Sequence, residues 1–110
     1  MLFLVELDYV RSGPSPEPEA GLAFIDRFVL PTLARAEQLA AEKKIVAGGP
    51  VIGRVALRLM VEADSHEEAD RVVSSLPLWA AAETRVTPII TFADRRSHVQ
   101  AVRERLKGTS

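Results

Sequence analysis

The chain has 110 residues, 47 % hydrophobic and 26 % charged, with a formal net charge of −1 and no cysteine, which fits one globular domain with a core and little surplus. The missing cysteines exclude disulfides, thiolate zinc sites and a Cys nucleophile. Basic residues interleaved with acidic ones exclude the concentrated footprint of a nucleic-acid binder, and no run reaches membrane-spanning length.

The opening "MLFLVELDYV" meets Glu6 and Asp8 before it can form a signal-peptide core, so a cytoplasmic protein is expected. Residues 2–9 alternate and are rich in β-formers, which predicts a first strand. "RSGPSPEPEAG" (Arg11–Gly21) holds three prolines and two glycines and predicts a loop, either a plain crossover or a lid. From Leu22 to Lys44 the residues Leu22, Ile25, Val29, Leu33, Ala36, Leu39 and Ala40 recur at three- and four-residue steps, the stripe of an amphipathic helix. Pro31 inside that run either kinks one helix or opens a second segment in its first turn.

"KKIVAGGPVIG" predicts a short strand around Ile45–Ala47 and then a turn; Gly48-Gly49-Pro50 lacks the flanking elements of a phosphate loop. Arg54–Glu62 reads as a strand. Asp64 or Ser65 then caps a helix that runs to about Ser75 and is stopped by Pro77, with Ser65-His66-Glu67-Glu68 matching a capping box. Glu83–Phe92 reads as a final strand, and residues 93–110 as a short, charge-rich C-terminal helix. His66 and His98 have no acidic cluster at ligand spacing, so no metal site is expected; both read as surface residues. The order β-α-β-β-α-β predicts one α+β domain over residues 1–110: a ferredoxin-like four-stranded antiparallel sheet with two helices on one face.

Alternate strand residues sort onto two faces. Phe3, Val5, Leu7, Tyr9, Val55, Leu57, Leu59, Val61, Val86, Pro88, Ile90 and Phe92 make an apolar face for the helices. The other face mixes Leu2, Leu4, Met60 and Ile89 with Glu6, Asp8, Arg54, Arg58, Glu83 and Arg85. A wetted sheet face does not usually carry those apolar residues, and a core does not accept those charges. The expected partner is therefore a second copy, in a homodimer formed through this face.

"SHEEADRVVSSLPLW…ETRVTPI", with "GRVALRLMVEADS" upstream and "MLFLVEL" at the start, resembles the muconolactone delta-isomerase family. The resemblance implies a dimeric α+β barrel, which associates further in the true isomerases. It also implies a cofactor-independent proton shift in a small unsaturated lactone of aromatic catabolism. The family's helix-one carboxylate and third-strand polar residue align near Thr32 and on Leu57, and neither can act as a carboxylate base. Its Trp-Arg before the third-strand glycine is replaced by Gly49-Pro50.

Asp26 is the helix-one carboxylate nearest the family position and the candidate base, or else a solvated helix residue. Arg54 is a candidate to hold a substrate carboxylate by a bidentate fork, or else an interface ion pair with Glu6, Asp8 or Glu83. Trp79 is expected to border a pocket or to plug a corner of the core, and Tyr9 to offer its hydroxyl at the pocket mouth or to water. A small-molecule isomerase without cofactor is one reading. A non-catalytic ligand-binding or assembly protein on the same dimer is the alternative, and a cofactor-free monooxygenase a third.

Overall fold

In β1 (Leu2–Tyr9), Phe3, Val5 and Leu7 are buried while Leu2, Leu4, Glu6 and Asp8 between them are only half-buried. This alternation organises the computed structural model, which describes residues 1–10 and 17–108. The candidate lid falls partly outside the described residues: Arg11–Pro16 are not among them, and Thr109–Ser110 are not either. Four antiparallel strands, with β2 (Ile45–Pro50), β3 (Ala56–Glu62) and β4 (Ala82–Ile89), lie in the order β2-β3-β1-β4. This is the ferredoxin-like arrangement expected from the element order.

The register puts alternate residues of β1, β3 and β4 on the faces expected, but Val55, Val86 and Pro88, expected under the helices, are exposed. Phe3 lies between Val61 and Pro88, Val5 between Leu59 and Val86, and Leu7 between Leu57 and Thr84. On the other face Leu4 lies between Met60 and Thr87, and Glu6 between Arg58 and Arg85. Phe3, Val5, Leu7, Leu57, Leu59 and Val61 are buried under the helices with Leu39, Val72, Val73, Leu76 and Leu78, each larger side chain contributing about 1.5–3 kcal/mol of burial.

The first helical run starts earlier than its periodicity suggests, ends at Ala41 rather than Lys44, and is less regular. It begins at Pro18 as α1 (Pro18–Phe24), widens into a π-turn over Ile25–Val29, and resumes as α2 (Leu30–Ala41). The N–H of Leu30 bonds the carbonyl of Ile25, five residues back. Pro31 explains the widening: in a regular helix its ring would press on the carbonyl four residues earlier. Because a π-turn carries an extra residue, the apolar stripe slips. Phe24 and Phe28 pack against the core in place of Leu22 and Ile25, which are exposed. Thr32, Ala36 and Leu39 continue the inward face.

Helix α3 (His66–Ser74) starts as expected. Ser65 Oγ accepts from the Glu68 N–H at 3.1 Å, while Glu68 Oε2 accepts from the Asp64 N–H at 3.0 Å. A 3₁₀ turn at Pro77–Ala81 leads into β4.

Three expectations are corrected. Gly48-Gly49-Pro50 completes β2 instead of turning; Gly48 has φ of 115°, and a Cβ there would strike the Arg58 carbonyl oxygen of the neighbouring strand. β3 starts at Ala56, so Arg54 and Val55 precede it. Finally, β4 ends at Ile89 and Phe92 begins α4 (Phe92–Gly108), because Thr91 Oγ1 accepts from the Asp94 N–H at 3.1 Å and caps a helix there. Ile90 and Phe92 are therefore exposed rather than core residues.

Candidate functional site

Where β1 ends, Tyr9 meets the underside of the first helical run. Its ring lies 4.7 Å from that of Phe24, and Phe24 lies 5.6 Å from Phe28. The π-turn creates this aromatic floor by turning Phe24 and Phe28 inward. Beside it opens a recess of about 1370 Å³, lined by the three aromatics, Arg27, Arg54, Val55 and the alanines Ala80–Ala82. The Arg27 guanidinium sits 5.1 Å from the centre of the Phe28 ring, a cation–π contact that holds positive charge at the wall.

Arg54 lines the same recess while its Nη2 donates to Asp8 Oδ1 at 2.8 Å. Asp8 also accepts from Arg58 Nη2 at 3.1 Å, and Arg58 Nε lies 3.5 Å from Glu6. Arg54 thus borders the recess and is ion-paired with Asp8 within the chain. The network spans the charged face of the sheet, where Glu6, Asp8, Arg58, Glu83 and Arg85 border a smaller cavity of about 460 Å³.

The four candidates from the sequence are partly brought together. Tyr9 and Arg54 line the recess. Asp26 is exposed in the π-turn between two lining residues, Ile25 and Arg27, and is itself outside the lining. Trp79 is exposed in the 3₁₀ turn next to the lining residues Ala80 and Ala81, and is not part of the wall. Arg27, Phe24 and Phe28 were not singled out from the sequence. Their i, i+4 aromatic pair was visible there, but it competes with the Leu22–Ile25 stripe unless the π-turn is known.

The two positions aligned with the family's functional residues have structural roles. Leu57 is core. Thr32 is buried, and its Oγ1 accepts from the Leu78 N–H at 2.8 Å, tying α2 to the 3₁₀ turn. In the cross-sheet row of Leu7 and Leu57, the Thr84 Oγ1 is buried without a hydrogen-bond partner among the described residues.

The fold is shared with muconolactone isomerase. Its crystal structure superposes with a TM-score of 0.67 at 19 % identity, covering 83 % of this chain and 90 % of that one. A second similar structure is 5-chloro-2-hydroxyhydroquinone dehydrochlorinase (TftG) from Burkholderia phenoliruptrix AC1100, in complex with 2,5-dihydroxybenzoquinone. Its TM-score is 0.60 at 25 % identity, covering 86 % of this chain and 98 % of that one. At these identities the common property is the fold. No protein-family model matches the sequence, and no curated protein matches it. Among the described residues no helix is long and apolar enough to cross a membrane, and no group of three His, Asp or Glu side chains is placed to hold a metal ion.

Proposed function

We propose that the recess binds a small, planar, unsaturated ring bearing a negative charge, and that the protein is a cytoplasmic, cofactor-independent isomerase of such lactones in aromatic catabolism. The observation that carries this reading is the aromatic floor of Tyr9, Phe24 and Phe28 flanked by two guanidinium groups, Arg27 and Arg54. A flat ring stacks on the floor, while Arg attracts a carboxylate or an enolate oxygen. Two similar structures that act on small rings, one of them holding a dihydroxybenzoquinone, agree with that ligand class.

A proton shift in a lactone removes a proton beside the carbonyl and returns it to another carbon, so it needs one base and a donor for the enolate oxygen. Asp26 is our candidate base. It stands in a π-turn, a feature common at functional sites, with a lining residue on each side. Arg27 and the Tyr9 hydroxyl are the candidate donors. The protein is further read as a homodimer through the face that carries Leu2, Leu4 and Met60.

Among the described residues the lining of the recess contains no carboxylate, which favours a second reading, a ligand-binding protein without turnover. Loss of absorbance on incubation with unsaturated lactones separates the two, with binding followed in parallel by calorimetry. The isomerase reading expects turnover that Asp26→Asn lowers by about 100-fold or more with binding retained, and binding that Arg27→Gln weakens. Binding without turnover in the unmodified protein establishes the second reading instead. Failure of muconolactone and 2,5-dihydroxybenzoquinone alike to bind overturns both.

A further inference from the structure

Two guanidinium groups border the recess, but only one of them brings net charge to it. Arg54 Nη2 donates to Asp8 Oδ1 at 2.8 Å, the same oxygen accepts from Arg58 Nη2 at 3.1 Å, and Arg58 Nε lies 3.5 Å from Glu6. These two arginines and two carboxylates form a cluster whose charges sum to zero. Glu83 lies directly across from Asp8, and Arg85 across from Glu6, which adds one charge of each sign. Arg27 stands apart. Among the described residues no ion pair engages it, and its guanidinium rests 5.1 Å from the centre of the Phe28 ring. Asp26 precedes it in the chain, but adjacent residues of a helical turn do not face each other.

The backbone fixes this division. The Tyr9 N–H donates to the Val55 carbonyl at 3.0 Å, which ties the segment ahead of β3 to the end of β1. Gly53 turns the chain there with φ of 82°. Arg54 is thereby held on the wall of the recess next to Tyr9. Asp8, one residue before Tyr9, belongs to the opposite face of the strand and is outside the lining. It therefore touches the recess only through Arg54, as a counter-charge that a ligand does not meet.

A ring with one carboxylate needs one unneutralised cation, and Arg27 is that cation. A ring with two carboxylates has to draw Arg54 away from Asp8, which leaves Arg58 alone between Asp8 and Glu6. Otherwise its second charge is desolvated against the alanines of the wall without a partner.

We propose that Asp8 determines specificity: by holding Arg54 it restricts the recess to ligands with a single negative charge, which Arg27 meets. This rests on the reading of the recess as a site for a flat anionic ring, and adds the number of charges and the residue that sets it. Asp8 acts through Arg54 and is a positioning residue.

Benzoate and terephthalate are flat unsaturated rings that differ by one carboxylate. In calorimetry near neutral pH and at low ionic strength, where charge is least screened, the unmodified protein is expected to bind benzoate tighter by about tenfold or more. Asp8→Asn is expected to move the ratio of the two affinities toward terephthalate by about tenfold or more, through tighter terephthalate binding. Asp8→Asn combined with Arg54→Gln is expected to lose that gain while keeping the altered sheet face, which separates charge at the recess from any change in folding or association. Asp8→Glu, which keeps the charge, is expected to retain the original preference. Benzoate binding with an unmoved ratio in Asp8→Asn overturns the proposal and leaves the reading of the recess standing. A preference of the unmodified protein for terephthalate, which needs no variant to detect, overturns it as well. Failure of both probes to bind a protein that binds muconolactone overturns the proposal alone; failure of all three to bind overturns the reading of the recess with it.

Discussion

Leu7 and Leu4 stand three residues apart on one strand and meet different surroundings. Leu7 is sealed between Leu57 and Thr84 beneath the helices, whereas Leu4 is half open beside Met60 and Thr87. The same contrast runs across the sheet. On the helix side the side chains are apolar and their burial holds the chain together. On the other side an ion-pair network, Glu6–Arg58–Asp8–Arg54, lies among half-buried apolar residues. One face is buried within a single chain except along β4, where Val86 and Pro88 are exposed; the other mixes charged and apolar residues in the proportions of an interface.

The largest expected effect breaks the first face. Leu7→Ala should destabilise the protein by about 2–5 kcal/mol, since the site is walled by packed neighbours that close a cavity poorly. Urea denaturation measures this as a lower midpoint with an unchanged slope. Leu4→Ala, measured the same way at low protein concentration, should cost less than half as much. Equal costs would mean that the two faces are not distinct within one chain.

A smaller effect concerns a polar group inside the apolar layer. Thr32 Oγ1 satisfies the buried Leu78 N–H, and Thr32→Val keeps the shape while leaving that donor unpaired. The expected loss is about 1–3 kcal/mol, again by denaturation, and Thr32→Ser should recover most of it.

These contrasts show what could be read in the sequence. The division of β1 and β3 into two faces was legible because strand periodicity is two and both strands alternate; on β4 the register matched, but Val86 and Pro88, expected under the helices, are exposed because the helices do not reach that edge. The α3 cap was legible because Ser65 and Glu68 stand at capping-box spacing. The front of the first helix was not. Its stripe was counted at 3.6 residues per turn, and a π-turn forced by Pro31 moved the inward positions from Leu22 and Ile25 to Phe24 and Phe28. The aromatic floor of the candidate site was missed for that same reason. Phe92 misled differently: as a β-former after Ile89 and Ile90 it extends a strand pattern, but Thr91 supplies a helix cap that propensity does not weigh. Tyr9 was found because it lies at the end of β1, where alternation fixes position; Arg54 was read as the first residue of a strand that starts only at Ala56, and Arg27 offered no such signal.

Thr84 reverses the sign expected at Thr32. Its Oγ1 is buried without a partner among the described residues, so Thr84→Val removes a desolvated hydroxyl and should raise stability by about 1 kcal/mol. Thermal unfolding of the two variants side by side should show opposite shifts. A loss at Thr84 as large as that at Thr32 would mean that the hydroxyl has a partner in solution, and would mark the row of Leu7 and Leu57 as more polar than its packing suggests.

The smallest effect on stability falls on the charged face, and there the useful measurement is a different one. Asp8 accepts from both Arg54 and Arg58, but it is about a third exposed, with side-chain accessibility of 31 %. Exposed pairs of this kind contribute about 0–1 kcal/mol, so Asp8→Asn should leave the unfolding midpoint of a dilute sample nearly unchanged. Self-association should respond more, because Arg54 would enter a sheet-to-sheet interface without its ion-pair partner and Arg58 with Glu6 alone. Sedimentation across a concentration series should therefore show weaker association for Asp8→Asn at matched stability. Untouched association would mean that the copies meet on a surface other than the charged face.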